Sequence, residues 1–212
     1  MKGHDHRVFS GLYSRLAGWE DSGRIGEARG EVCSGLSGRT LIVGLGPAED
    51  LHHLPPAVTA IEAVEPSAPM RRAAEENIAR ARRLGLSVNV HDAVGEAVPL
   101  PDNSVDSALL TYVLCSVTDP DDVLREVRRV VKPGGVVGVL EHVVAEDRTF
   151  TRFTQRALGP VWPRVAGGCH PDRDPKSVMD ALRFDTSGLR RTTLLNVPPV
   201  SPILMGSARN AT

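Results

Sequence analysis

The chain's apolar runs are the feature that most narrows its possible folds. Residues 41–43 (Leu-Ile-Val) and 136–140 (Val-Val-Gly-Val-Leu) avoid polar side chains at consecutive positions rather than at every second one. Successive side chains of a strand point to opposite faces, so such a strand must be covered on both. Helices have to supply the cover. Asp119-Pro120 opens the clearest of them, with Val123, Leu124, Val127, Val130 and Val131 on one face at helical spacing. Lys132-Pro-Gly-Gly135 closes it.

Strands are predicted at 41–43, 58–64, 86–90, 107–117 and 136–144. A helix between the second and third is capped by Ser67, carries Pro69 in its first turn and stops at Gly85. Alternating strands and helices make a parallel sheet covered on both faces. The last third changes character, with a short helix near 177–182 and two strands near 192–197 and 203–208 forming an antiparallel edge pair. With 212 residues and no linker or repeat, one domain is expected: a helical lid over 1–38, a ligand-binding core over 39–145, and a substrate-side segment with the final strands over 146–212.

Composition excludes several classes. A formal net charge of -1 provides no electrostatic footprint for nucleic acid. No apolar run approaches the roughly 20 residues that span a bilayer. The three cysteines, Cys33, Cys115 and Cys169, are widely spaced without a Cys-x-x-Cys, so neither a disulfide framework nor a metal site is expected. A cytoplasmic protein follows, either monomer or homodimer.

In an open α/β sheet ligands bind beyond the carboxyl ends of the strands. The first such end reads Val43-Gly-Leu-Gly-Pro-Ala-Glu-Asp50. A dinucleotide loop needs a third glycine where Glu49 stands, and the acids Glu49 and Asp50 repel a pyrophosphate. A Walker A loop lacks its Gly-Lys-[Ser/Thr]. S-Adenosylmethionine (SAM), cationic and free of phosphate, suits Gly44 and Gly46 and tolerates nearby acids. Glu65, closing the second strand, can accept from both ribose hydroxyls. Asp92 can accept from the adenine amino group, with the Ala93 backbone reading a ring nitrogen. An ordinary tight turn with a solvated glutamate is the competing reading.

The order VGLGP, VEPS, DAVGEAVPLPDNSVDSALLTYVLCSV and VLREVRRVVKPGG resembles the class I SAM-dependent methyltransferases over residues 40–145. Outside the core, VLCSV, LEHVVAE, the Phe150 to Trp162 segment, GGC and PPVSPILMGSA resemble the methyltransferase-like alkyl thiol S-methyltransferases. This resemblance implies a doubly wound, mostly parallel seven-stranded Rossmann-like sheet with an antiparallel pair at one edge. It implies SAM as cofactor, with Tyr13, Leu45, Pro66, Thr111 and Tyr112 joining the residues above. It also implies a small-molecule acceptor, most naturally a thiol. Methylation of oxygen, nitrogen or carbon, and SAM binding without turnover, are the alternatives. Two positions depart from the pattern: Ile42 replaces the usual acid two residues before the first glycine, and Ala48 the last glycine of the loop. Relatives in animals carry a hydrophobic N-terminal anchor; none is read here.

Glu141-His142, closing the fifth strand, holds the candidate catalytic groups, with His142 of the right class to take a proton and Glu141 to orient it. Adjacent strand residues face opposite ways, so both cannot readily serve one site. Cys115, Phe153, Trp162 and Cys169 are candidate pocket walls; a metal at Cys169-His170 would need more ligands than the sequence offers, and a catalytic thiol there has no evident base. His4-Asp5-His6 reads as a solvated terminus and Phe9 as part of the lid.

Overall fold

A computed structural model describes residues 23–211. Phe9, Tyr13 and His4-Asp5-His6 lie outside the described residues. The elements are α1 (Arg24–Cys33), β1 (Gly38–Val43), a 3-10 turn (Glu49–His52), β2 (Val58–Val64), α2 (Ala68–Ala73), α3 (Glu75–Arg83) and β3 (Ser87–His91). There follow β4 (Val105–Thr111), α4 (Pro120–Val130), β5 (Val131–His142), α5 (Phe150–Leu158), α6 (Trp162–Val165), α7 (Pro175–Ala181), β6 (Phe184–Asp185), β7 (Leu189–Thr193) and β8 (Pro202–Asn210).

The sheet has eight strands in the order β3-β2-β1-β4-β5-β8-β6, with β7 also paired to β8. β1 to β5 run parallel, whereas β8 is antiparallel to β5, β6 and β7. The expected antiparallel edge is therefore present, built from three strands rather than a pair. Chain order reverses between β1 and β4, the kind of switch point beyond whose carboxyl strand ends ligands bind in open α/β sheets.

The consecutive apolar residues divide between two cores. Leu41, Val43, Ala108, Leu110 and Val139 face one side, under Leu124, Val127 and Met179 of α4 and α7. Ile42, Leu109 and Leu140 face the other, under Ala28 and Val32 of α1 and Ile78 and Ala81 of α3. α1 thus covers the sheet, which corrects the expected lid for that part of 1–38. None of the described helices is long and apolar enough to cross a membrane.

Local chemistry sets the helix starts. Asp119 Oδ1 accepts the N–H groups of Asp121 (2.9 Å) and Asp122 (3.3 Å), with Pro120 behind it in the first turn. Ser67 caps α2 through Met70 N–H at 3.5 Å. Lys132-Pro-Gly-Gly135 does not separate helix from strand: β5 begins at Val131, and these residues loop out between the pairs Val105–Val131 and Ser107–Val136.

Candidate active site

After β1 the chain turns through Gly44 and Gly46, at φ 71° and 54°. A Cβ on Gly44 would meet Val113 Cγ2 at 2.7 Å, so this loop lies against the loop leaving β4. At Gly46 the same position is open, with nothing within 4 Å. The loop's N–H groups are already used. Gly44 and Leu45 donate to the Val64 carbonyl (2.9 and 3.3 Å), Ala48 to that of Leu45 (3.0 Å), and Gly46 to Glu65 Oε2 (2.9 Å). A phosphate-binding loop keeps such donors for its anion. This one spends them and sets a carboxylate beside the open space, an arrangement for a ligand with hydroxyls and no phosphate.

Glu65 is buried, and its Oε1 accepts the Ser67 N–H at 2.8 Å. Burial pushes its pKa up, against the two backbone donors and the Arg71 guanidinium. Each oxygen still has a lone pair for a diol. Pro66 beside it is exposed. Ala48 takes the left-handed conformation that a glycine would favour (φ 65°) and leads into a single 3-10 turn. Ile42 is fully buried in the core and contributes nothing polar here.

Several expected ligand contacts are already engaged. Arg71 grips both oxygens of Asp92 (2.8 and 2.7 Å) and donates to the Glu65 carbonyl (2.7 Å). The Ala93 N–H turns back to the His91 carbonyl at 2.9 Å. The Thr111 hydroxyl is engaged as well, donating to Asp50 Oδ2 at 2.5 Å. Asp50 lies buried in an ion pair with Arg29. Arg29 and Asp50 are 21 residues apart, so no local sequence pattern pairs them.

At the end of β5 the two adjacent polar groups part. Glu141 is fully buried, and its carboxylate accepts from Val113 (2.7 Å), Leu114 (2.9 Å) and Cys115 (3.3 Å) N–H. This corrects the catalytic role expected for it: Glu141 holds the turn that leaves β4. Burial pushes its pKa up to about 7, while those donors and the His142 charge pull the other way.

His142 is half-buried. Its ring stacks at 4.6 Å on Tyr112, a residue at φ 51°, and the Arg29 guanidinium lies 5.8 Å from the Tyr112 ring centre. His142 Nδ1 is 3.8 Å from Cys115 Sγ and 3.7 Å from Cys169 Sγ. The neighbouring Cys169 and burial push the Cys115 thiol well above its ordinary range.

The structure thus brings Cys115, His142 and Cys169 together and leaves Phe153 apart. Phe153 is exposed on α5, which corrects it as a pocket wall, and Trp162 is half-buried. The buried position on α5 belongs to Gln155, a residue type usually exposed and so without a signal in the sequence. Its amide donates to the carbonyls of Val143 (3.1 Å), Pro171 (2.8 Å) and Pro199 (3.1 Å) and accepts from Ala145 (2.9 Å). Arg173 likewise clamps the carbonyls of Leu114 (2.6 Å) and Val117 (2.8 Å).

Residues 41–152 match the family model described as a methyltransferase domain. Human thiol S-methyltransferase TMT1A is 33% identical over 153 residues, covering 71% of this chain and 62% of the relative. Rat thiol S-methyltransferase TMT1B is 32% identical over 170 residues, 79% of this chain and 69% of the relative. Among solved structures, the [4+2]-cyclase SpnF superposes with a TM-score of 0.74 at 20% identity, over 97% of this chain and 94% of that one. SpnF is named for a cyclisation, so the shared fold does not by itself define a reaction.

Proposed function

The chain belongs to the class I SAM-dependent methyltransferases, and from that premise we propose that it methylates a thiol of a small molecule. Bound SAM supplies an electrophilic methyl on a sulfonium. Glu65 takes the ribose hydroxyls, Gly46 leaves room for close approach, and the loop's shortage of free N–H donors suits a phosphate-free ligand.

The observation that carries the acceptor class is the cluster where the ends of β4 and β5 meet the stretch between α6 and α7: two sulfurs and an imidazole within 4.8 Å of one another. Glu141, the acid at the end of β5, has its carboxylate committed to backbone N–H groups, so it is a poor partner for an amine or phenol proton. A thiol needs little help. With a pKa of about 8.5 it is a few per cent thiolate at neutral pH, and alignment with exclusion of water does the remaining work. The likeness to thiol S-methyltransferases supports the same reading.

Incubation with SAM and a panel of thiols, phenols and amines, read by mass, tests the acceptor class. Thiols are expected to gain a methyl, faster for more acidic thiols at fixed pH. Methylation confined to phenols or amines refutes the reading. The cofactor is tested separately by calorimetry: Glu65→Ala is expected to weaken SAM binding by about 1.5–3 kcal/mol through lost charged hydrogen bonds. Unchanged affinity would remove Glu65 from the site.

A further inference from the structure

Three segments meet at the substrate edge. Cys115 follows β4, His142 ends β5, and Cys169 lies in the stretch between α6 and α7, each 27 residues from the next. One donor atom from each falls within 4.8 Å of the other two. Cys115 Sγ also has the Tyr112 carbonyl at 3.6 Å and Ser116 Oγ at 3.5 Å within thiol hydrogen-bonding range. Nδ1 has either one lone pair or one proton, so it makes one good bond, yet two sulfurs stand at nearly equal distance from it, 3.8 and 3.7 Å. Around a tetrahedral zinc ion, with Zn–S of about 2.3 Å and Zn–N of about 2.0–2.1 Å, neighbouring nitrogen and sulfur donors lie about 3.6 Å apart. The observed arms are close to that spacing.

We propose that Cys115, His142 and Cys169 form a zinc site. Two thiolates and an imidazole are a donor set for zinc rather than for magnesium or calcium, which take oxygen. The surrounding shell holds the ligands in place. Glu141 accepts the Cys115 N–H, His170 N–H donates to the Cys115 carbonyl at 2.6 Å, and Tyr112 stacks on the imidazole. The two cysteines are buried and His142 is half-buried, so the ion enters from the imidazole side. Sequence spacing hides the site, because motifs with short Cys-x-x-Cys gaps are the ones that can be read.

Three protein ligands leave a fourth position open, as in zinc sites that work on substrates. Filling that position with the acceptor thiolate rests on the thiol-methylation reading; the three-ligand site does not.

Cobalt, which zinc sites accept and which reports its own geometry, provides the test. Chelator-treated full-length chain, kept reduced by a non-chelating phosphine, is titrated with Co2+. One equivalent is expected to raise thiolate-to-cobalt charge-transfer bands and the intense visible bands of a tetrahedral site, and one equivalent of Zn2+ to abolish them. Cys33→Ala is expected to keep the signal; Cys115→Ser and Cys169→Ser are expected to lose the charge-transfer bands while retaining wild-type circular dichroism. The wild-type titration stands even if either serine variant fails to fold. A weak octahedral spectrum without charge transfer overturns the site, as does a Cys115–Cys169 disulfide with no cobalt uptake. A zinc-loaded chain that methylates no thiol overturns the proposed acceptor and leaves the metal site standing.

Discussion

Asp50→Ala is expected to destabilise the fold by about 3–5 kcal/mol, the cost of breaking a buried ion pair from one side. Asp50 and Arg29 side chains are 5% and 7% exposed, so neither charge has water to fall back on. The carboxylate ties three elements: Arg29 of α1, the turn after the glycine loop, and β4 through the Thr111 hydroxyl. Removing it leaves the guanidinium buried without this partner, beside the Tyr112 ring that stacks on His142. Urea denaturation measures the loss. The paired change Arg29→Met with Asp50→Leu is expected to recover most of it, because a buried pair often stabilises no more than apolar residues of similar volume. A loss below about 1 kcal/mol in Asp50→Ala would show that the pair is solvated and not a tie between elements.

What the sequence could and could not reveal follows from the range of each interaction. β2 is legible to the residue, 58–64, because its signal is local: Val58, Ile61 and Val64 in a short stretch bounded by Pro55-Pro56 before it and Glu65-Pro66 after it. The parallel sheet follows from strand–helix alternation, and the ligand-binding edge at its carboxyl strand ends from the general rule for open α/β sheets. The loop's lack of fit for a phosphate is legible in Glu49 and Asp50, but not the reason for it. The decisive fact is that Glu65 and Val64 absorb the loop's N–H groups, a contact across 19 residues in the case of Gly46 and Glu65. α1 is misread as a lid since its four apolar residues, Ile25, Ala28, Val32 and Cys33, are all buried but sit among charged residues and glycines that blur the pattern. At Glu141-His142 the alternation of a strand correctly separates the two side chains. Which one turns to the backbone of the β4 turn depends on the fold alone.

That turn is where the other large effect lies. Glu141→Ala is expected to cost at least about 3 kcal/mol, since three buried backbone N–H groups lose their acceptor at roughly 1–3 kcal/mol each, without strict additivity. Glu141→Gln separates hydrogen bonding from charge, because its amide oxygen still accepts and nothing titrates. The pKa of Glu141 rises from an ordinary 4.5 to about 7 in the fold, so the native state binds its proton more tightly than the unfolded chain. The stability this provides is full below about 4.5 and is lost as pH rises through about 7, an amplitude of about 3 kcal/mol. Denaturation curves across that window are expected to show wild type losing stability relative to Glu141→Gln as pH rises. Parallel curves for the two proteins would mean that the turn is held by a carboxylate whose proton affinity folding does not change, and the β4 loop would then be no more sensitive to pH than the rest of the sheet.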